Sequence, residues 1–197
     1  MAVQSAVSIC NVGLRLLGAK AITALTDNTV EGKAALESYD STRRALLRSH
    51  PWNFAMVREA WTSPLAAAPA HTYSYQFAIP STALVMRAVQ KDFFNFAEWK
   101  VEFLPTQGRV LLCDSSTANV LYTYDFEDAA AMPADFGKAL SGALALEFSQ
   151  QLTGMAKAIK LAQTYYDYWY REAKANDGQE GTLDPMEDTT LIDERNQ

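Results

Sequence analysis

Trp99-Lys100-Val101-Glu102-Phe103-Leu104, then Pro105-Thr106-Gln107-Gly108, then Arg109-Val110-Leu111-Leu112-Cys113, and after a short polar link Asn119-Val120-Leu121-Tyr122-Thr123-Tyr124, form the stretch whose reading decides the fold. Its runs are short and rich in aromatic and β-branched residues, and a Pro/Gly turn separates the first two, so they read as antiparallel strands. The same character extends upstream. Asn53 to Trp61 reads as a strand, Ser63 to Pro69 as a loop of Ala and Pro, Tyr73 to Ile79 alternates until Pro80 closes it, and Ala83 to Val89 reads as a further strand. The result is a small antiparallel sheet within residues 51–128.

On either side the period changes to that of helices. Val3, Val7, Cys10, Leu14 and Leu17 share one face, and Ile9, Val12 and Leu16 fill a second, so the first helix is expected to be buried on more than one side. Gly18 ends it. Asn28, with Glu31 three residues later, is the expected N-cap of a second helix, which must stop by His50 because Pro51 follows. Pro133 suits the first position of a third helix, with Phe136, Leu140, Leu144, Phe148 and Leu152 on one face. Gly137, Ser141, Gly142 and Ala145 offer that helix a smooth surface for another backbone. After Gly154 a fourth helix carries Met155, Ile159, Ala162, Tyr166, Trp169 and Ala173 as its core stripe. The expected fold is therefore α+β and mainly α: a four-helix bundle with a small antiparallel β insertion between helices 2 and 3. Residues 1–50 and 129–176 supply the helices, 51–128 the insertion, and 177–197 an extended C-terminal arm.

The chain has 197 residues, 49% of them hydrophobic, and a formal net charge of -6. That length supports a core without disulfides or structural metal. Cys10 and Cys113 are too far apart in sequence for a paired-cysteine motif, so a reducing compartment is expected. Neither a signal peptide nor a membrane span is expected, since the apolar start lacks a basic lead and no run reaches about 18 residues. The charge is localised. Asp177, Glu180, Asp184, Glu187, Asp188, Asp193 and Glu194 stand against Arg195 alone, so the preceding body is neutral. Leu183, Met186, Leu191 and Ile192 are spaced between those acids. Such a segment cannot build a core of its own; it is either a solvated terminus or an arm that orders against a partner.

Signals for chemistry are sparse. His50 and His71 lack neighbours at ligand spacing, and no metal site, cofactor or phosphate loop is expected. Asp125, Glu127 and Asp128 cluster just ahead of helix 3. Three carboxylates in a loop can do acid–base work in a glycan hydrolase or another soluble enzyme, and acids also belong before a helix N-terminus. Arg43, Arg44, Arg48 and Arg58 lie in a stretch with seven bases against four acids over residues 1–58. That excess of three is modest for a DNA-binding accessory protein, and arginines on helix 2 also pair with acids on the same or a neighbouring chain. Aromatic residues are in surplus: Trp52 and Phe54 follow helix 2, Phe93, Phe94, Phe96 and Trp99 share one segment, and Tyr165 to Tyr170 nearly encircle helix 4. Trp52, Phe54, Arg43, Arg44, Tyr165, Tyr168 and Tyr170 are accordingly the residues expected at a subunit interface.

The pattern Ala6-x-x-Ile9-Cys10-Asn11-x-x-Leu14-x-x-Leu17-Gly18, then Ile22-x-x-Leu25, Ala34-Ala35, Tyr39, Arg43, Leu47 and Trp52-x-Phe54-Ala55, resembles the N-terminal half of the podovirus tail tubular protein A family. A β-rich middle, Met132-Pro133-x-x-Phe136 and a Tyr/Ala-striped last helix fit the same family. The resemblance implies a virion protein of the phage neck, made in the host cytoplasm: a head-to-tail adaptor forming a homo-oligomeric ring, of twelve copies in that family, between the portal protein and the tail nozzle protein. It implies a conduit through which double-stranded DNA passes without specific binding, and no enzymatic activity. The acidic arm, through Leu183, Met186, Leu191 and Ile192, would be the portal contact.

Overall fold

The computed structural model describes residues 4–90 and 97–181. Along the chain run α1 (Ala6–Leu16), α2 (Val30–Ser49), β1 (Met56–Trp61), β2 (Tyr75–Ala78), β3 (Ala83–Gln90), β4 (Trp99–Leu104), β5 (Gly108–Cys113), β6 (Ala118–Tyr124), α3 (Ala134–Phe148) and α4 (Ala156–Asp177). The expectation of a four-helix bundle with one small insertion is overturned on both counts. The described chain is 44% helical and 22% strand, and its six strands form two antiparallel sheets. One has the order β1-β6-β3 and the other β2-β5-β4.

The sheets bury a core of their own, and this is the physical reason they are more than an insertion. Phe77, Ile79, Met86, Val89, Leu111, Val120 and Tyr122 close into one apolar cluster, separate from the cluster that holds the helices. Each sheet is built on a hydrophobic central strand: β6 pairs with both β1 and β3, and β5 with both β2 and β4. Irregular register between Ala83 and Val85 and between Met86 and Ala88 bends β3, and Leu84 joins the helical cluster. The β4–β5 connection turns at Gly108, whose φ of 78° an L side chain rarely adopts.

The helices do not form a ring of four neighbours either. Helix α3 is the hub, packing along α4, α1 and α2, while α1 and α2 touch only slightly. Small residues on α3 make this possible. A methyl group added at Gly142 would sit 2.9 Å from Tyr166 Cα, so α4 lies against bare backbone there. A methyl group added at Gly13 of α1 would likewise sit 2.9 Å from Ser141 O, and Ser141 Oγ donates to Ile9 O at 3.0 Å. Phe136, Leu140, Leu144 and Phe148 are fully buried around that axis, each contributing about 1.5–3 kcal/mol by leaving water.

Helix ends differ from expectation by single residues. The N-cap of α2 is Thr29, whose Oγ1 accepts from Gly32 N at 3.0 Å, and not Asn28. Pro133 is the residue just outside α3 and not its first. Gly154, at φ 59°, closes a π-turn (Ser149–Thr153) and redirects the chain into α4.

Candidate functional site

The acidic cluster and two of the helix-2 arginines, Arg43 and Arg44, separate in the sequence, meet in space. Asp125 is buried at the end of β6, and both its oxygens are occupied: Arg43 Nη1 donates to Oδ1 at 2.6 Å and Arg44 Nε to Oδ2 at 2.8 Å. Arg43 also donates to Phe126 O at 2.7 Å and is completely buried. This is a charge-assisted tie between α2 and the exit of the first sheet, and the arginines pair within their own chain. Glu127 is 73% exposed and lies 3.9 Å from both guanidinium groups, while Asp128 Oδ1 accepts from Ala130 N in a turn. The three carboxylates line a shallow depression with Thr82, Tyr124 and Phe126. In it Asp125 faces arginines, so the trio presents no pair of carboxylates opposed across a cleft. Among the described residues no group of three His, Cys, Asp or Glu side chains could hold a metal ion. Both cysteines are free and buried, and burial pushes the Cys10 thiol up to about 12.

The expected interface residues separate into three groups. Arg43 and Trp52 are interior side chains with no surface to offer a neighbour, because Trp52 fills the helical core and donates from Nε1 to Leu46 O at 2.9 Å. Phe54 and Tyr170 are half-buried and used internally. Phe54 packs edge-on against Phe126 and Phe136, and Tyr170 lies edge-on to Trp52, under Lys174, with its hydroxyl donating to Ser49 Oγ at 3.1 Å. Arg44, Tyr165 and Tyr168 do reach solvent. Tyr168 is 61% exposed, Tyr165 packs against Trp169 at 5.2 Å, and Leu161 is exposed on the same stripe. Leu161, Tyr165 and Tyr168 stand at i, i+4 and i+7, so one face of α4 presents an apolar row beside Asp167, Arg171 and Glu172. The expected arm residues Leu183, Met186, Leu191 and Ile192 lie outside the described residues, as do Phe93, Phe94 and Phe96.

Asp177, expected to begin the acidic arm, belongs instead to the body. It is the last residue of α4 and is buried; its carboxylate accepts from Asn53 N at 2.8 Å and faces His50 Nε2 at 3.0 Å. Its carbonyl accepts from Asn53 Nδ2 at 2.7 Å, and Asn176 Nδ2 reaches Asp135 at 2.6 Å. The end of α4 is thereby fastened to the α2–β1 corner and to the start of α3. The sequence does carry a signal in His50 and Asn53, polar residues beside a buried tryptophan, but nothing local points to a partner more than a hundred residues away.

Among the described residues no helix is long and apolar enough to cross a membrane. No protein-family model matches the chain, and no curated protein is detectably similar to it.

Proposed function

We propose that this chain is a structural head-to-tail adaptor of the tail tubular protein A kind, a subunit of a ring of about twelve copies that joins a phage portal protein to the tail nozzle protein. The observation that carries the reading is the exposed Leu161, Tyr165 and Tyr168 row on α4. Large aromatic side chains such as Tyr165 and Tyr168, on a helix that already buries its opposite face, are what subunit interfaces enrich. The ordered resemblance of the sequence motifs supplies the class of assembly. The balanced charge of the body suits a conduit, since a strongly basic lumen would hold double-stranded DNA by counterion release and not let it slide. The apolar residues of the arm, Leu183, Met186, Leu191 and Ile192, are the proposed portal contact.

Electron microscopy of the purified protein, alone and mixed with portal, tests the reading. Rings, or caps seated on portals, are the expected result. A persistent monomer indifferent to portal overturns it.

A further inference from the structure

Three arginines from three different elements converge where the helices meet the sheets. Arg48, in the last turn of α2, donates from Nη1 to Leu84 O at 2.5 Å; Arg109, in β5, donates from Nη1 to the adjacent Ala83 O at 2.7 Å. Arg87, in β3, donates from Nη2 to Arg48 O at 3.1 Å and His50 O at 3.0 Å, and from Nε to Thr123 Oγ1 at 2.9 Å. Every acceptor here is a carbonyl or a hydroxyl. Among the described residues the carboxylates within ion-pair distance of a base serve Arg43, Arg44, His50 and Lys100, and none serves these three. Burial, and then the charge of Arg48, lower the proton affinity of both Arg87 and Arg109, as expected for like charges held together.

His50 links this cluster to Asp177, near the end of the described chain. Arg87 holds the carbonyl of His50, the ring of His50 meets Asp177, and the described residues stop four positions further on, at Gly181. Residues 182–197 continue from there, with Asp184, Glu187, Asp188, Asp193 and Glu194 against Arg195 alone. At about 3.3–3.6 Å per residue the sixteen residues 182–197 can extend up to about 50 Å, and tethering gives their carboxylates a local concentration on the order of millimolar.

We propose that the acidic segment 182–197 docks on the Arg48, Arg87 and Arg109 cluster of its own chain, its carboxylates taking guanidinium N–H groups that the described body leaves without an anionic partner. Arg87 also caps the carbonyls at the end of α2, so Arg48 and Arg109 are the arginines that can be altered with least harm to the fold. Such docking is a property of the isolated chain and does not depend on the ring.

The full chain carrying Arg48→Lys and Arg109→Lys, treated with a carbodiimide at low salt, reads the contact directly. Zero-length amide bonds from the introduced amines to Asp184, Glu187, Asp188, Asp193 or Glu194 are expected within the monomer, suppressed about tenfold near 1 M salt, where the screening length falls to about 3 Å. Bonds only to carboxylates of the body overturn the proposal, and so do bonds found only in a covalent dimer, which would assign the segment to a second copy. A second measurement leaves the body untouched. Asp184→Asn, Glu187→Gln and Asp188→Asn together should speed cleavage before Leu183, Met186 and Leu191 by a protease specific for apolar residues about fivefold, on the order expected when a tethered ionic contact is lost. An unchanged cleavage rate overturns the proposal.

Discussion

Arg43 and Asp125 are 82 residues apart in sequence and meet as a buried pair, with Arg44 closing the other carboxylate oxygen. A buried ion pair contributes little compared with a well-packed apolar pair, but removing one member strands the other. Asp125→Ala is therefore expected to cost about 3–5 kcal/mol, read from the urea midpoint, because Arg43 has no water to turn to. Glu127→Gln, two residues away and largely exposed, should stay within about 0.5 kcal/mol. Tyr39 supplies a different kind of test. Its hydroxyl is buried with no hydrogen-bond partner among the described residues, and burial pushes its ionisation from 10 up to about 12, as it pushes Cys10 from 9 to about 12. Both groups thus hold their protons in the folded chain over a range where the unfolded chain has lost them. The unfolded state then binds fewer protons, so stability is fully present below about pH 9 and falls as pH rises towards 12. Tyr39→Phe should be nearly neutral at pH 7, since it deletes an unsatisfied group, and should flatten the alkaline decline of the urea midpoint measured from pH 8 to 11. A wild-type slope at high pH would contradict this account of Tyr39.

At the scale of elements, the α3–α4 contact is the one most dependent on a single position. Gly142→Ala gains helix propensity of about 1 kcal/mol, but its methyl would lie 2.9 Å from Tyr166 Cα and 3.2 Å from a Trp169 ring carbon. Backbone cannot swing aside as a side-chain tip can, so overpacking should prevail and leave a net loss of about 1–3 kcal/mol by thermal or urea unfolding. Lys138→Ala, exposed on the same helix, should change little. The glycine-smooth face was legible in the sequence because small residues at helical spacing have few other uses. So was the β4–β5 hairpin, whose strands and Gly108 turn are a local pattern. How the strands pair was not legible. Alternation tells which residues share a face, but whether β6 joins β1 and β3 or continues β5's sheet depends on contacts across the chain. The hub role of α3 was hidden for the same reason: a helix buried on several sides reads alike whether it stands in a ring of four or at the centre of three. Of the expected interface, the sequence identified the aromatic surplus but could not apportion it, and Trp52 went to the core while Tyr168 went to the surface.

For the whole molecule, the proposed assembly assigns the α4 row to a neighbouring subunit and the segment after Gly181 to the portal, and the two predict separable failures. Leu161→Glu with Tyr168→Glu places charges on an already solvated face, so unfolding should shift by no more than about 0.5 kcal/mol. If that row is the contact between neighbours, carboxylates there must be desolvated on association, and rings should disappear in sedimentation velocity and in micrographs. Removal of 182–197 should leave Asp177 and its bonds to Asn53 in place, so the body should stay folded and lose no more than about 1 kcal/mol, the worth of a roughly fivefold docking equilibrium. A cut before Asp177 would instead unfasten α4 from the α2–β1 corner and confuse loss of folding with loss of docking. The chain ending at Gly181 should therefore still associate through α4 yet fail to seat on portal. A truncated chain that caps portals as well as the full one would show that the portal contact lies on the body, and rings that survive both charged substitutions would move the subunit interface away from α4.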